Sequence, residues 1–210
     1  AAPAVFTITC FGKDSKKLAT GTGFVVDESG ILVTNAHLVE GAKRILVNRD
    51  KYSFFEVERV LALDTTSDLA LLKVHCDRLP FLKLENSIRV SQGGRVVVYG
   101  SPLGLAGTLS EGIVSAIRRE GRDELLQITA AISPGSSGSP VFNAKGDVVG
   151  IAVARIEGGQ SLNFAIPSEA LKPLFEAAGG KKVTRQLDVF DLNPRKGETQ
   201  TEMNLDSIAQ

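Results

Sequence analysis

Two histidines, one strand-flanking aspartate and one serine-rich loop are the candidates in this chain for acid–base or nucleophilic chemistry. His37 follows a predicted strand in the segment TNAH, so its side chain can project into a cleft. Asp68 precedes an apolar strand in SDLALLKV and is expected to stand partly buried at its mouth. Residues 133–140, SPGSSGSP, form a loop of small residues between apolar strands. Taken separately, these features also fit a surface histidine, a turn-capping acid and a flexible turn.

Together, the three features meet the requirements of acyl transfer. A serine hydroxyl is a weak nucleophile at neutral pH and needs a base within hydrogen-bond reach. Histidine suits this role because its pKa of about 6.5 lets it accept a proton and return it. A buried aspartate holds the imidazole in one tautomer and stabilises its protonated form. The chain order histidine, aspartate, serine is that of chymotrypsin-like enzymes rather than of subtilisins or α/β-hydrolases.

The hydrophobic pattern that must position these residues indicates an all-β protein. Of 210 residues, 43% are hydrophobic and 23% charged, as in ordinary soluble globular proteins. The 21 glycines and the short apolar runs between turn residues predict about a dozen strands, typical of antiparallel sandwiches and barrels. After a polar loop at 12–19, most connections are short. The predicted strands are 4–11, 24–26, 31–34, 44–48, 54–63, 69–74, 95–99, 108–117, 124–128, 140–143, 147–155 and 161–166.

A helix is predicted only near the C-terminus, over residues 168–180. Ser168 is a candidate N-cap, and an apolar stripe with helical spacing follows it. Pro173 removes one internal hydrogen bond, which predicts a short or kinked helix. Residues 181–210 form a polar tail, in which 183–192 could add one strand.

Charge and composition exclude several classes of partner. Lys+Arg and Asp+Glu number 24 each, so no basic excess favours nucleic acid or an anionic membrane. The longest apolar run is too short for a transmembrane helix. Two histidines without clustered acids fit neither a zinc nor a calcium site, and no cofactor is expected. Cys10 and Cys76 allow one disulfide or two buried free thiols.

Two weaker patterns concern location and internal symmetry. The start, Ala1-Ala2-Pro3-Ala4, fits what remains after signal-peptide removal, or an artificial start; we expect a periplasmic or secreted location. GTGFVVDESGILVTNAHLV and SGSPVFNAKGDVVGIAVA share a hairpin pattern. That pattern suggests two similar β lobes, or a chance resemblance between two hairpins.

The motifs TNAHLV, SDLALLKV and SPGSSGSP resemble those of trypsin-like peptidases, most closely of the HtrA/Deg family. Three further stretches agree between about residues 20 and 175: GTGFVVDESGILVTNAHLV, YGSPLGLAGTLSEGIVSAI and GIAVARIEGGQSLNFAIPSEAL. The resemblance implies two perpendicular six-stranded antiparallel β-barrels and hydrolysis of peptide bonds by His37, Asp68 and Ser137. The polar tail does not resemble the PDZ domain that usually follows in HtrA proteases.

The implied barrels divide the site between them. The first, residues 1–90, carries the histidine and the aspartate, and the second, 91–167, carries the serine. The backbone N–H groups of Gly135 and Ser137 are the expected oxyanion hole. Because glycine adopts positive φ at little cost, the peptide between Pro134 and Gly135 could also flip and turn a carbonyl into the hole.

The serine loop departs from the family pattern. The usual GNSGG reads GSSGS over 135–139, and the register selects Ser137 rather than Ser136 or Ser139 as the nucleophile. Val153 stands where the family has a threonine near the aspartate. These changes motivate an alternative function, a catalytically impaired peptide-binding or chaperone-like module on the same fold.

The resemblance also implies an apolar pocket for the residue before the scissile bond. Ala131 lies where trypsin-type cleavage needs a carboxylate, so burial of Lys or Arg there is unfavourable. Arg155 is expected to narrow the entrance, and cleavage after small aliphatic residues of unfolded or flexible proteins is the prediction. Trimeric HtrA relatives use N-terminal aromatic residues, for which only Phe6 and Phe11 are candidates, so monomer and trimer both stay open. The expected pocket residues are Ala131, Ile132, Val153, Ala154, Arg155, Leu162, Asn163 and Phe164.

Overall fold

The computed structural model describes residues 2–48, 54–75, 78–84, 90–100, 107–120, 123–153 and 163–179. Nearly all regular structure in these ranges is β-strand, with helix α1 (Ala36–Val39), helix α2 (Lys172–Gly179) and two short 3₁₀ turns, Ala2–Ala4 and Ser168–Leu171. The strands are β1 (Val5–Phe11), β2 (Lys17–Asp27), β3 (Ile31–Thr34), β4 (Arg44–Asn48), β5 (Phe54–Asp64), β6 (Leu69–Val74), β7 (Arg95–Gly100), β8 (Thr108–Glu120), β9 (Asp123–Ile128), β10 (Pro140–Asn143), β11 (Val148–Val153) and β12 (Asn163–Pro167).

The strands close into two six-stranded barrels in which every paired strand is antiparallel. The neighbour order is β1-β2-β3-β6-β5-β4 in the first barrel and β7-β8-β9-β12-β11-β10 in the second. Each barrel therefore repeats the same connectivity from its own first strand. Closure leaves no unpaired sheet edge in either barrel. The all-β fold class, with two antiparallel barrels and a short C-terminal helix, is confirmed.

Alternation along the strands builds the core of the first barrel. Phe6, Ile8 and Cys10 lie two residues apart on β1 and share one hydrophobic cluster. This is the two-residue period of a strand, in which alternate side chains point to the same side of the sheet. The ring of Phe6 meets that of Phe55 edge to face, with centroids 6.3 Å apart.

A second cluster joins the two barrels and the C-terminal helix. Phe24 and Leu71 of the first barrel pack in it with Phe142 and Ile151 of the second. Leu174 of α2 belongs to the same cluster and is buried. Burying side chains of this size contributes about 1.5–3 kcal/mol each. The cluster therefore fixes the relative placement of the two halves that carry the candidate site.

Several local predictions were wrong. Strand β2 begins at Lys17, inside the predicted polar loop, because its polar residues continue the ladder with β1. Helix α1 was not predicted. Ser168 makes no capping hydrogen bond and lies in a 3₁₀ turn before α2. Pro173 is the second residue of α2, where its missing N–H removes no internal bond, so no kink is required.

The structure also bears on the disulfide alternative, on the two N-terminal aromatic residues and on membrane-spanning helices. Cys10 is a buried free thiol, which excludes a disulfide to it. Burial raises the pKa of this thiol to about 12. Phe6 is buried in the core of the first barrel and Phe11 is 9% exposed, so neither is an exposed aromatic side chain. Cys76 and the tail at 181–210 lie outside the described residues. Neither helix in the described ranges has the length and apolarity needed to cross a bilayer.

Candidate active site

His37 lies in the single helical turn α1, directly after β3. The neighbours Leu38 and Val39 are buried in the core of the first barrel, which anchors the turn. Glu40 closes it by donating its N–H to the carbonyl of Ala36. The side chain of His37 is 31% exposed, so it faces solvent at one edge of a rigid turn.

Asp68 holds both the backbone and the ring of His37. One carboxylate oxygen, Oδ1, accepts the His37 backbone N–H at 2.9 Å. The ring Nδ1 lies 2.7 Å from Oδ2 and 3.0 Å from Oδ1 of the same carboxylate. A proton on Nδ1 shared with this carboxylate leaves Nε2 as the basic nitrogen. The two sequence-predicted residues are therefore brought together in the geometry that a general base requires.

The conformation of Asp68 is unusual and is supported by Asn35. Asp68 has φ of +54°, a left-handed value that few residues other than glycine adopt. The side-chain Nδ2 of Asn35, a fully buried residue, donates to the Asp68 carbonyl at 2.9 Å. Sequence reasoning missed Asn35, although it lies in the same TNAH segment as the histidine.

The turn before Asp68 is organised by a second carboxylate, Asp64. It accepts the Thr66 N–H at 2.9 Å and the Ser67 hydroxyl at 2.7 Å. Partial burial opposes ionisation of Asp64, but the hydrogen bonds from Ser67 and Thr66 outweigh it and lower its pKa. The ionised Asp64 thus fixes the loop from which Asp68 reaches the histidine.

Ser137 lies in a loop of the second barrel that is hydrogen-bonded to strands of both barrels. The Thr22 N–H of β2 donates to the Ser137 carbonyl at 2.8 Å. The Gly138 N–H donates to the Ala152 carbonyl of β11 at 2.9 Å. Ser137 itself is 4% exposed. The loop is therefore a fixed element of the junction rather than a flexible turn.

Tight packing around this junction brings the serine loop close to α1. A Cβ on Gly21 would lie 2.3 Å from Leu38 Cδ1 and 3.1 Å from the Ser137 carbonyl oxygen. A Cβ on Gly138 would lie 2.0 Å from the Thr22 carbonyl oxygen, and the residue has φ of +84°. A side chain is therefore excluded at Gly138, and one at Gly21 would displace the Leu38 side chain. Strand β2 contacts the turn that carries the histidine on one side and the nucleophile loop on the other.

Residues 133–136 form a hydrogen-bonded turn next to the nucleophile. The Ser136 N–H donates to the Ser133 carbonyl at 2.8 Å, and Gly135 has φ of +93°. Proline followed by a glycine of positive φ is typical of a type II turn. The Ser136 hydroxyl accepts the Ser133 N–H at 3.3 Å, which gives it a structural role in the turn.

Ser139 is the other serine that could be mistaken for the nucleophile. The residue is fully buried, and its hydroxyl has no hydrogen-bond partner within the described part of the chain. Burial does not distinguish Ser136 from Ser137, since they are 5% and 4% exposed, so the choice of Ser137 rests on the register of the motif.

Five of the eight expected pocket residues lie in the described ranges. Ala131 is exposed, and Ile132 is half-buried against the core of the second barrel. Val153 pairs with Phe164 across β11 and β12. The Nδ2 of Asn163 donates to the Ala130 carbonyl at 2.9 Å, which ties β12 to the segment before the nucleophile loop. The remaining three, Ala154, Arg155 and Leu162, lie outside the described residues.

Comparison with known proteins identifies the family of the chain. Residues 21–151, more than half of the chain, match the trypsin-like peptidase domain. The chain is 37% identical over 171 residues to the putative serine protease HhoB of Synechocystis sp. (strain ATCC 27184 / PCC 6803 / Kazusa). It is 42% identical over 163 residues to a probable periplasmic serine endoprotease DegP-like of Halomonas elongata. These matches cover 78% and 74% of this chain but 41% and 34% of the relatives, so the chain spans less than half of their length.

Solved structures show the same relationship. The serine endoprotease from Yersinia pestis has a TM-score of 0.74 and 29% sequence identity, covering 85% of this chain and 63% of that one. The HtrA-type protease AlgW with tripeptide has a TM-score of 0.75 and 29% identity, covering 84% of this chain and 60% of that one. The chain therefore belongs to the trypsin-like peptidase domain family and is an HtrA-like member of it.

Proposed function

We propose that this domain is a serine endopeptidase that hydrolyses peptide bonds through His37, Asp68 and Ser137. The observation that carries the proposal is the 2.7 Å contact between His37 Nδ1 and Asp68 Oδ2. This contact makes Nε2 the basic nitrogen and stabilises the imidazolium that forms when it accepts a proton. The names of the HhoB and DegP-like relatives, which describe serine proteases, support the same class of reaction.

The proposed reaction has two steps. The Ser137 hydroxyl attacks the substrate carbonyl carbon while His37 takes its proton, and the carbonyl oxygen becomes an oxyanion. The N–H groups of Gly135 and Ser137 stabilise that charge, each by about 3–4 kcal/mol. His37 then protonates the leaving amine as the C–N bond breaks, which leaves an acyl-enzyme. A water molecule, deprotonated by His37, hydrolyses the ester and restores the serine.

We further propose cleavage after small aliphatic residues. Ala131 offers no carboxylate to pair with Lys or Arg, and Ile132, Val153 and Phe164 are apolar neighbours of the expected pocket. Burial of a Val or Leu side chain in such a pocket contributes about 1.5–3 kcal/mol. Mass spectrometry of the fragments of a denatured protein measures this preference. Lys or Arg dominating the position before the cut would refute the pocket assignment.

The names of the relatives bear on where the protein acts. The DegP-like relatives are named as probable periplasmic proteins, whereas the relative HTRA2 from Bos taurus is named as mitochondrial. We propose an extracytoplasmic location and unfolded or flexible proteins as substrates. Nucleic acid is not an expected partner, because the chain carries no net charge.

Hydrolysis of casein, an unstructured protein, tests the assignment of the nucleophile. Ser137→Ala is expected to abolish turnover, whereas the matched variants Ser136→Ala and Ser139→Ala keep most of it. The three substitutions remove the same atom from neighbouring positions, so a general effect on the loop cannot explain a selective loss. More than a few per cent of activity in Ser137→Ala would show that another residue is the nucleophile.

A further inference from the structure

Thr22 of β2 makes two hydrogen bonds to the nucleophile loop, although it belongs to the other barrel. Its backbone N–H donates to the Ser137 carbonyl at 2.8 Å. Its side-chain hydroxyl Oγ1 donates to the Gly135 carbonyl, also at 2.8 Å, from 113 residues away along the chain. Thr22 is fully buried, so water does not compete for these contacts. The backbone contact is available to any residue except proline, whereas the contact to Gly135 requires a hydroxyl.

The hydroxyl contact holds one particular peptide group, the one between Gly135 and Ser136. The carbonyl of this peptide accepts from Thr22, and its N–H donates to the Ser133 carbonyl at 2.8 Å. The group is thus fixed at both ends. The Gly135 N–H belongs to the preceding peptide, which is joined to this fixed group through the Gly135 Cα, where φ is +93°. That N–H is one of the two proposed oxyanion donors.

Thr22 is itself held in place by the segment that leads to the histidine. The hydroxyl of Thr34, at the end of β3, donates to the Thr22 carbonyl at 2.8 Å. Gly138 packs against the same carbonyl so closely that a Cβ there would lie 2.0 Å away. Thr22 therefore cannot shift to follow a displaced loop. The Thr22 hydroxyl, held rigidly in the first barrel, therefore sets the position of the Gly135 carbonyl in the second.

We propose that the Thr22 hydroxyl is a positioning group of the oxyanion hole. By holding the Gly135 carbonyl it keeps the Gly135 N–H aimed at the oxygen that becomes negatively charged. This inference rests on the proposed peptidase function. Without the hydroxyl, the Gly135–Ser136 peptide is held only through its N–H bond to Ser133, so Gly135 can shift together with the preceding peptide that carries its N–H. The donor is then present but misdirected, which weakens binding of the transition state more than binding of the substrate.

Two pairs of variants isolate the hydroxyl. Thr22→Val replaces it with a methyl group of similar size, and wild-type threonine is its matched control. Thr22→Ala and Thr22→Ser form a second pair that differs by the hydroxyl alone and avoids β-branching. All four retain the backbone N–H that donates to the Ser137 carbonyl. Thermal unfolding of each protein establishes that it is folded, and if the valine variant fails to fold the second pair alone decides the question.

The measurements are kcat and KM on a peptide ester, and the affinity for a peptide trifluoromethyl ketone that forms an oxyanion on the serine. Loss of an entire oxyanion donor costs about 10²–10³-fold in kcat, and a misdirected one is expected to cost about 10–100-fold. We expect this loss in Thr22→Val and Thr22→Ala, with KM nearly unchanged and weaker ketone binding in the same proportion. Thr22→Ser is expected to stay within about threefold of wild type.

Several outcomes would overturn the inference. Unchanged kcat in the folded variants without the hydroxyl, or an equal loss in Thr22→Ser and Thr22→Ala, would show that the hydroxyl does not position the donor. A loss confined to KM would assign it to substrate binding instead. These results leave the peptidase function standing if wild type is active. A wild-type protein that neither cleaves the ester nor reacts at Ser137 refutes the proposed function and, with it, this inference.

Discussion

Ser139 carries a side chain where the family pattern has glycine, and the structure explains how the fold accommodates it. The residue is fully buried against Gly100, the last residue of β7. A Cβ on Gly100 would lie 2.0 Å from Ser139 Oγ and 3.1 Å from Ser139 Cβ. A side chain at position 100 therefore requires the Ser139 hydroxyl to leave its position and the Ser139 Cβ to give way by a few tenths of an ångström. We predict that residues 100 and 139 are energetically coupled.

The magnitude follows from the same distances. Overpacking a well-packed site costs about 1–3 kcal/mol, which is the destabilisation expected for Gly100→Ala. In a Ser139→Gly background the nearest remaining atom is Thr22 Oγ1, at 3.3 Å from the new Cβ, so the clash is largely gone. Alanine is favoured over glycine inside a strand by about 0.5–1 kcal/mol. Gly100→Ala is then expected to be neutral or slightly stabilising, and the coupling is about 1–4 kcal/mol.

Urea unfolding of wild type, the two single variants and the double variant measures this coupling as a double-mutant cycle. A third background, Ser139→Ala, keeps the Cβ at 3.1 Å and removes only the oxygen. The cost of Gly100→Ala is therefore expected to be largest in wild type, smaller in the Ser139→Ala background and smallest in the Ser139→Gly background. Each kcal/mol corresponds to about 2–4 °C in Tm for a chain of this size. Additivity within about 0.5 kcal/mol would refute the reasoning, because residues in contact should not behave independently.

Three further predictions concern the histidine, its carboxylate partner and the buried thiol. Asp68→Asn and His37→Ala are each expected to lower kcat/KM on a peptide ester by about 10⁴-fold, and losses below tenfold would contradict the assigned roles. Asn35→Ala removes the donor to the Asp68 carbonyl, and we expect about a tenfold loss in kcat with little change in KM; an unchanged kcat would show that the contact is dispensable. Because burial raises the pKa of Cys10 from 9.0 to about 12, the unfolded chain ionises first, and the free energy of unfolding should fall between about pH 9 and 12. Urea unfolding at pH 8 and pH 10 should show a steeper loss in wild type than in Cys10→Ala, and equal losses would refute the burial argument.

The strands could be predicted where apolar residues mark the barrel interior, and not where polar residues continue the ladder. Phe6, Ile8 and Cys10 alternate with less apolar residues, so the pattern of β1 is readable. The first half of β2, Lys17 to Thr20, has no such pattern. Its residues are in strand conformation because Ala19 and Thr20 pair with β1. The backbone hydrogen bonds of this half of β2 come from pairing with β1, and the local sequence does not indicate that pairing.

The two-lobe organisation was predicted from a sequence similarity that does not relate equivalent strands. The first of the two similar segments forms the hairpin β2–β3, the second and third strands of its barrel. The second forms β10–β11, the fourth and fifth strands of the other barrel. The barrels do share one connectivity, but the sequence similarity follows from the common requirements of hairpins. The prediction of two β lobes was right, although the sequence similarity behind it does not relate equivalent strands.

In the candidate site, residue types and order could be predicted, whereas the supporting contacts could not. A histidine after a strand, an aspartate before one and a serine in a loop of small residues are local signals of chemistry. The hydroxyl of Thr22 and the amide of Asn35 act on residues 113 and 33 positions away. Such contacts depend on how the barrels close and dock. Threonine in a strand has many roles, so its type alone does not indicate this one.

The helical turn α1 was also beyond the reach of the sequence pattern. Four residues are too few for a helical period to appear, so the glycine that follows the turn, Gly41 with φ of +74°, does not by itself identify a helix. The turn forms because Leu38 and Val39 are buried on the barrel and Asp68 accepts the His37 N–H. Tertiary contacts, rather than local propensity, decide its existence.

The central claim is that Ser137 is a nucleophile activated by His37 and Asp68. Labelling with a fluorophosphonate, followed by mass spectrometric mapping of the modified peptide, tests it most directly, because phosphonylation requires an activated hydroxyl. We predict one adduct on Ser137, no adduct in Ser137→Ala, and much slower labelling in Asp68→Asn. An adduct on Ser136 or Ser139, or a folded protein that does not react at all, would contradict the claim.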